Sequence, residues 1–465
     1  MKKKTLVRKE KFGMPKIVLI GAGSVVFAQK LIIDLVTFPS LRNSTIALVD
    51  IDEERLELIT KLTERLKEQE HLPLSIEATT ERRKVLRGAD YVINMIQVGG
   101  LDAYRLDVEI PRKYGVDQTV GDTLGPGGIF RALRTVPILL EICRDIEELC
   151  PDALLINYTN PMAILCWAVN KSTRVRNVGL CHSVQGTART LAEYIGVKVE
   201  DRMRYESEEY EFFYKPMPAD IDYWVAGINH QAWFLEFRCK GEDAYPLLWK
   251  AMEDPNIYSR DVVRFEIMRH FGYFVTESSH HMSEYVPYFR KNPELVAKYI
   301  PKRWDYYEIC RAGLAPYLEK IQRQIRGEEP IEIRRSLEYG AYIINAMETG
   351  EVTRINGNVA NTGLITNLPY GCCVEVPCFV DRLGIHPCFV GDLPPQLAAI
   401  NRTNINVQEL AVEGILQQRK EYIYEAVALD PLTSAILTLD EIRSMVDEMF
   451  EAEKEYLPED WKLLV

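Results

Sequence analysis

The N-terminal stretch Lys16-Ile17-Val18-Leu19-Ile20-Gly21-Ala22-Gly23-Ser24 is the strongest indicator of the fold. Its first part is a continuous apolar run, typical of a strand buried in a parallel sheet. Two glycines follow at once, and the segment 25–32 then has apolar residues at helical spacing. Strand, glycine turn and helix are the context of a dinucleotide fingerprint, whose helix N-terminus receives the pyrophosphate. We therefore predict a doubly wound α/β domain that binds a cofactor at Gly21, Ala22, Gly23 and Ser24.

The next strand, 45–49, ends in Asp50-Ile51-Asp52. An acid at this place accepts hydrogen bonds from an adenosine ribose, which favours NAD over its 2′-phosphorylated relative. Asp50 is the predicted ribose ligand, and Asp52 is a candidate cap for the predicted helix 53–68. Two alternatives stay open at this point. Val26 replaces the third glycine of the usual fingerprint, and both acids fit simple helix capping.

Size and composition bound the protein class. With 465 residues, the chain is predicted to form two packed lobes, a Rossmann-like domain at 14–200 and an α+β lobe at 201–465, preceded by a polar arm at 1–14. The net charge of -12 argues against nucleic acid or an anionic membrane as the main partner. No segment is apolar enough for a membrane span or a secretory signal. Ten cysteines without a small-scaffold spacing indicate reduced thiols and a cytoplasmic location.

A second glycine-rich loop spans residues 121–128 and is predicted to open a helix at 129–149. Its residues Asp122 and Thr123 are candidates for contact with cofactor or sugar, although a tight turn explains the glycines equally well. After the strand 153–156, Asn160 precedes a proline and is predicted to cap the next helix. An asparagine at a strand's carboxyl end is equally well placed to touch a ligand. Residues 329–350 are predicted to be helical.

Cys181 and His182 follow the short apolar strand that begins at Asn177. A thiol and an imidazole at the end of a strand, downstream of a dinucleotide loop, indicate metal or redox chemistry beside a nicotinamide, with simple packing as the alternative. A later strand, 223–228, ends in a turn that presents His230, a candidate metal ligand. The segment 276–288 is rich in Ser, His, Glu and Tyr, and we predict an active-site loop there.

Several separated motifs together resemble family 4 of the glycoside hydrolases, the glycosidases that require both NAD and a divalent metal. They are Gly21-Ala22-Gly23-Ser24, Gly125-Pro126-Gly127-Gly128, Thr159-Asn160-Pro161, Cys181-His182-Ser183-Val184, Gly227-Ile228-Asn229-His230, Glu284-Tyr285, Asn361-Thr362-Gly363, Asn367-Leu368-Pro369 and Val374-Glu375-Val376-Pro377. The resemblance covers residues 14 to 463. The Cys-His-Ser-Val form is similar to the α-galactosidase branch, and an α-galacturonidase subgroup shares it. A uronate carboxylate would need a cation, for which Arg290, His280 and His281 are candidates.

The resemblance implies a role for each site residue. Cys181 and His230 would hold Mn²⁺ or another divalent transition metal, and NAD would oxidise C3 of the sugar and later reduce it again. Tyr285 would remove the proton from C2, and His182 would protonate the leaving oxygen at C1. Asn160 and Arg290 would bind the substrate. A packed aromatic ring is the alternative for Tyr285, and a hydrogen-bonding residue behind the site is the alternative for His182.

The resemblance also implies an architecture similar to lactate and malate dehydrogenases, and a homodimer or homotetramer that acts on a small sugar. The runner-up function is a conventional NAD-dependent dehydrogenase of 2-hydroxy acids. Such an enzyme shares the glycine loop, the following acid and a catalytic histidine, but it does not account for the Cys-His pair.

Overall fold

A computed structural model of the chain describes residues 13–199 and 220–462. Its first half contains a sheet of parallel strands in the spatial order β3-β2-β1-β4-β5-β6. The strands are β1 Lys16–Ile20, β2 Thr45–Val49, β3 Ser75–Thr79, β4 Tyr91–Asn94, β5 Leu154–Asn157 and β6 Arg176–Gly179. This is the strand order of the dinucleotide-binding fold. The predicted doubly wound α/β domain is confirmed.

The second half extends the same sheet with antiparallel strands. Asn358 pairs with Gly179, so that the order continues from β6 as β10-β11-β7-β8-β9, with β12 paired to β11. These strands are β7 Ile221–Ile228, β8 Gln231–Cys239, β9 Glu242–Asp243, β10 Thr353–Ala360, β11 Cys373–Asp381 and β12 Gly384–Pro387. The two halves of the chain therefore share one sheet, which brings loops from both to one edge.

Helices cover the sheet and fill the second half. They are α1 Val25–Thr37, α2 Glu53–Gln69, α3 Arg82–Leu86, α4 Gly100–Lys113, α5 Gly125–Leu149, α6 Met162–Ser172, α7 Ser183–Tyr194, α8 Tyr245–Ala251, α9 Pro255–Tyr258, α10 Val262–Phe271, α11 Ser279–Glu284, α12 Pro293–Tyr299, α13 Tyr306–Ile325, α14 Gly340–Thr349, α15 Pro395–Gln417, α16 Lys420–Leu429, α17 Leu439–Ala452 and α18 Glu459–Lys462. Because helices lie on both faces, every residue of β4 and β5 is buried.

Three helix boundaries differ from the sequence prediction. α5 begins at Gly125, four residues early, because Pro126 suits the first turn of a helix. Residues 329–339 are not helical, since Ser336 donates its backbone N–H to Asp34 of α1 and Ile331 donates to Gln69 of α2. The segment 276–288 is not a simple loop, because it contains α11.

Some predictions fall outside the described residues. The polar arm lies there apart from Gly13 and Met14, as does the predicted boundary between residues 200 and 201. That division into two lobes stays a prediction. Of the helices that the structure describes, none combines the length and the apolar character that a membrane crossing requires.

Candidate active site

The turn after β1 has the close packing that a dinucleotide loop needs. Gly21 has a φ of +85°, and a Cβ there would lie 2.8 Å from the backbone nitrogen of Ile96. A Cβ on Gly23 would lie 2.7 Å from the carboxyl carbon of Asp50, whose Oδ2 accepts a hydrogen bond from the Gly23 N–H at 2.6 Å. Asp52 accepts from the backbone of Arg55 and caps α2. Asp52 is therefore the predicted helix cap, and Asp50 lies against the loop, where its contact with a ribose stays a prediction.

The first turn of α1 fits an anion. Ser24 stands at its N-cap, but its side chain makes no capping hydrogen bond, and the turn contains no acidic residue. The backbone N–H groups at a helix N-terminus and the positive end of the helix dipole are the groups that bind a pyrophosphate. This arrangement is compatible with the predicted cofactor contact of Gly21, Ala22, Gly23 and Ser24.

Cys181, His230 and Tyr285 come together from three separate parts of the chain. The Cys181 thiol follows β6, and its Sγ lies 3.1 Å from Nε2 of His230, in the turn between β7 and β8. The other ring nitrogen of His230 lies 3.3 Å from the hydroxyl of Tyr285, the residue that ends α11. His230 and Tyr285 are buried, with 4% and 2% of their surface exposed. A thiol and an imidazole therefore converge, with a phenol behind the imidazole.

Burial dominates the protonation of these three groups. It raises the pKa of the Cys181 thiol well above 9, with further contributions from Glu375 and Glu277. Burial and the nearby His281 lower the pKa of His230 to about 4, so its ring is neutral at neutral pH. Burial also raises the pKa of Tyr285 well above 10, although a hydrogen bond from Thr123 opposes this. In the absence of a bound metal ion, all three groups are therefore neutral at neutral pH.

A charged pair stands next to the neutral imidazole. Glu277 lies 2.7 Å from Nδ1 of His281, whose ring packs edge to face against His230 at a centroid distance of 4.9 Å. Burial alone would raise the pKa of Glu277, but His281, His230 and His182 lower it well below its usual value. Burial likewise opposes the charge on His281, yet Glu277 raises its pKa. Glu277 also has a φ of +73°, a left-handed conformation uncommon outside glycine.

His182 occupies the exposed side of the site. Its side chain is 58% exposed, and Nδ1 lies 3.4 Å from the buried carboxylate of Glu338. The hydrogen bond to Glu338 raises the pKa of His182 above its usual 6.5. Glu338 also lies 3.7 Å from Lys30 of α1. His182 thus has both the exposure of a proton donor to a ligand and a partner that stabilises its protonated form.

Asn160 does not cap α6, contrary to one of its two predicted roles. The helix begins at Met162 with Pro161 at the N-cap position and no capping hydrogen bond from a side chain. The half-buried Asn160 side chain instead lies 3.3 Å from Oδ2 of Asp122, and its carbonyl accepts from Arg131. The side chain therefore lies beside the second glycine loop, and its predicted contact with substrate stays a prediction.

Arg290 is placed differently from a substrate ligand. Its side chain is fully buried, and its guanidinium donates to the Ser283 hydroxyl, to the backbone carbonyl of Asp117 and to the Thr119 hydroxyl. Glu284 accepts from the backbone of the same loop, including the Thr119 N–H at 2.6 Å. All three guanidinium nitrogens therefore bind protein, and Arg290 links the loop that contains Asp117 and Thr119 to Ser283 of α11. The geometry does not favour its predicted role as a substrate ligand.

The sequence prediction gave no role to three carboxylates at the site. Glu375 on β11 is completely buried, and burial raises its pKa to about 8, although the side chain of Asn229 opposes this shift. The sequence contained weak indications of two of these carboxylates. Glu375 belongs to the motif Val374-Glu375-Val376-Pro377, and Glu277 lies in the polar segment 276–288. Glu338 had none, because it lies in a segment that was predicted to be helical.

The donor set fits a divalent transition metal. Thiolate and imidazole together suit such ions. The carboxylate of Glu375 has no cationic partner in the structure's described residues, and a nearby cation would favour its charged form. Within residues 13–199 and 220–462, no three or more His, Cys, Asp or Glu side chains converge so that they could hold a metal ion. The protein would therefore provide Cys181 and His230, and a ligand or water would provide the remaining positions.

Comparison with known proteins gives matches over almost the whole chain. The family model described as family 4 glycosyl hydrolase matches residues 16–197, and the model of the C-terminal domain of family 4 glycosyl hydrolases matches residues 225–433. The alpha-galactosidase of Bacillus subtilis is 44% identical over 453 residues, which cover 96% of this chain and 100% of that protein. The alpha-galacturonidase of Lachnoclostridium phytofermentans is 31% identical over 476 residues, covering 96% and 98%.

A similar fold occurs among solved structures. The 6-phospho-alpha-glucosidase from gut microorganisms, solved in complex with NAD and Mn²⁺, has a TM-score of 0.78 at 21% identity. The match covers 96% of this chain and 100% of that one. At this level of identity the likeness concerns the fold, and it agrees with the parallel strand order described above.

Proposed function

Because the chain belongs to family 4 of the glycosyl hydrolases, we propose that it hydrolyses terminal α-galactosides. The convergence of the Cys181 thiol, the His230 imidazole and the Tyr285 hydroxyl carries the proposed chemistry. The charges of the surrounding side chains favour a galactoside over a galacturonide as the substrate.

We propose NAD and a divalent metal, Mn²⁺ in the first place, as the cofactors. A similar fold has been solved with both groups bound. Gly21, Ala22, Gly23 and Ser24 would hold the pyrophosphate and Asp50 the ribose, while Cys181 and His230 would bind the metal. When bound, NAD would supply a temporary oxidation at C3 of the sugar, and the metal would polarise the C2 and C3 oxygens.

Cys181 and His230 have different tasks in this scheme. The thiol must lose its proton to bind a cation, so metal binding and deprotonation are coupled. His230 would use Nε2 as the ligand, while Nδ1 faces the Tyr285 hydroxyl. A hydrogen bond between Nδ1–H and the Tyr285 oxygen would fix the ring orientation and stabilise the phenolate form.

Tyr285 and His182 would then move the protons. Tyr285 would accept the proton from C2, which is acidic once C3 is a ketone, and elimination would break the C1–O bond. The protonated form of His182, stabilised by Glu338, would give its proton to the departing oxygen. Asn160 would donate to a sugar hydroxyl from its position beside Asp122. Addition of water and reduction of the ketone complete the cycle without net oxidation.

The charges around the site favour a neutral sugar. A galacturonide has a carboxylate at C6, which needs a cation, and three side chains were candidates. The guanidinium of Arg290 is buried, and each of its three nitrogens donates to a protein group. His280 is neutral, because burial and Arg290 lower its pKa to about 4. The charge of His281 is compensated by Glu277 at 2.7 Å. The neutral hydroxymethyl group of a galactoside needs no such cation.

The second candidate is an α-galacturonidase, which the 31% identical relative supports. Initial rates on p-nitrophenyl α-galactoside and p-nitrophenyl α-galacturonide, with NAD, Mn²⁺ and a thiol reductant, separate the two. We expect the galactoside to react at least about tenfold faster, and a preference for the galacturonide would refute the proposed substrate. NADH accumulating in proportion to a 2-hydroxy acid would instead indicate the dehydrogenase alternative.

We also propose that the enzyme is cytoplasmic and forms a homodimer or homotetramer. The assembly follows from the family resemblance, and the location follows from the ten cysteines, which are all free thiols in the structure. Native mass spectrometry of the purified protein tests the assembly, and a monomer at micromolar concentration would refute it.

A further inference from the structure

The helix α15 presents a row of buried amides to the turn that contains His230. Asn401 and Asn404 are three residues apart, so they lie on one face of the helix. Asn401 donates to the backbone carbonyl of Gln231 at 2.8 Å and to its side-chain oxygen at 3.0 Å. The Asn401 carbonyl oxygen accepts from the indole of Trp233 at 3.1 Å. Helix α15 thereby holds Gln231, the residue immediately after His230.

Asn404 connects this turn to Tyr285. Its amide nitrogen lies 3.0 Å from the side-chain oxygen of Gln231 and 3.2 Å from the backbone carbonyl of Tyr285. The Tyr285 hydroxyl, in turn, lies 3.3 Å from Nδ1 of His230. The contacts therefore close a ring from His230 through Gln231, Asn404 and Tyr285 back to His230.

Two conformational features explain why such a ring is needed. His230 has a φ of +61°, which is unfavourable for a residue with a Cβ and persists only where the surroundings impose it. Tyr285 follows directly after α11, a helix of six residues, so the position of its phenol side chain depends on what holds its backbone. Asn404 is completely buried and is hydrogen-bonded both to Gln231, next to His230, and to the backbone of Tyr285.

We propose that Asn404 is a positioning residue, which sets the distance between the Tyr285 hydroxyl and His230 by holding Gln231 and the Tyr285 carbonyl with one amide. The inference rests on the proposed function, because it assigns Asn404 an effect through the C2 base. The side-chain nitrogen of Asn404 donates to Gln231 and to the Tyr285 backbone, and to none of the groups proposed to bind NAD or the sugar. Its removal should therefore slow the chemical step and leave ground-state binding in place.

A double-mutant cycle tests this effect. Asn404→Ala should lower kcat on p-nitrophenyl α-galactoside by about 10- to 100-fold, as expected for a displaced catalytic group. The KM and the dissociation constant of NAD should stay within about twofold. In the Tyr285→Phe background, the same Asn404→Ala change should alter kcat by less than about twofold, because the group that Asn404 positions is already absent. A general loss of stability would not produce this non-additivity.

Gln408→Ala is the matched control, since Gln408 is buried on the same face of α15 and has no hydrogen bond to the His230 turn among the described contacts. It should keep wild-type kcat. If Asn404→Ala does not fold, Asn404→Ser, which is too short to reach both partners, replaces it. A Tyr285→Phe variant with strongly reduced but measurable kcat, in which Asn404→Ala causes an undiminished further loss, overturns this inference alone. Wild-type kcat in Tyr285→Phe overturns the proposed role of Tyr285, and the inference fails with it.

Discussion

The sulfur of Cys181 lies 3.1 Å from Nε2 of His230, although the two residues are 49 positions apart. Cys181 follows the last parallel strand, whereas His230 stands in a hairpin of the antiparallel half. The pair therefore exists only because both halves share one sheet, which β10 joins through Asn358 and Gly179. A ligand held by this pair would bind the two halves of the molecule together.

Replacing Cys181 should remove the metal without removing NAD. In Cys181→Ser we expect the affinity for Co²⁺ to fall by at least about 100-fold, since losing a ligand should cost more than losing a group that supports one. The sulfur-to-cobalt charge-transfer absorption should disappear, while the dissociation constant of NAD is unchanged. Cys388→Ser, at a half-buried cysteine elsewhere, is the control and should keep the absorption band. An unchanged spectrum in Cys181→Ser would remove the thiol from the ligand set.

Tyr285→Phe should stop proton removal at C2. Turnover of an α-galactoside in D₂O should place deuterium at C2 of the galactose released by the wild-type enzyme. In the variant, kcat should fall by about 10²- to 10⁴-fold, the usual contribution of a general base. Tyr288→Phe is the control, because Tyr288 is exposed and three residues away. Mass spectrometry of the product gives the result, and wild-type product without deuterium would exclude elimination through C2.

Asp50 and Asp52 should differ in their effect on NAD. Asp50→Ser removes the acceptor predicted for the ribose, and we expect the affinity for NAD to fall by about tenfold or more, the value of a charged hydrogen bond. Asp52→Asn keeps an N-cap for α2 and should leave the affinity unchanged. Isothermal titration calorimetry measures both. Equal losses in the two variants would indicate a disturbed loop instead of a lost ribose contact.

The parallel half of the fold was predictable because its signals are local. The apolar strands, the turn at Gly21 and the acid at position 50 can each be recognised from a few adjacent residues. Together they indicate the dinucleotide-binding fold, which has this strand order. Helix starts were less accurate, since Pro126 could be seen as part of a glycine loop or as the first turn of α5.

The site was predictable only in part, because its residues meet through tertiary contacts. Cys181 and His230 were paired through the family resemblance, and no spacing rule would have joined them. Arg290 was assigned to the substrate with the help of the resemblance, but each of its guanidinium nitrogens donates to a protein group, at Ser283, Asp117 and Thr119. Glu338 was missed because hydrogen bonds to α1 and α2 draw its segment away from a helical path.

Glu375 should make the metal-free protein less stable as the pH rises. Its pKa is about 8 in the folded state and about 4.5 in the unfolded chain, because burial disfavours the carboxylate by more than the Asn229 side chain stabilises it. Between these values the folded state binds more protons than the unfolded state, so the free energy of unfolding falls with increasing pH. The full loss is on the order of 5 kcal/mol, is absent below the unfolded pKa and is complete above the folded one.

Glu375→Gln, which is neutral at every pH, should lack this loss. Urea unfolding at pH 5 and pH 8.5 in the presence of a chelator measures the difference between wild type and variant at each pH. We expect wild type to lose stability relative to Glu375→Gln across this interval. Glu242→Gln, at an exposed position on β9, should follow wild type. Parallel curves for Glu375→Gln and wild type would mean that the buried carboxyl does not change its protonation on folding, and that a positive group compensates it even without metal.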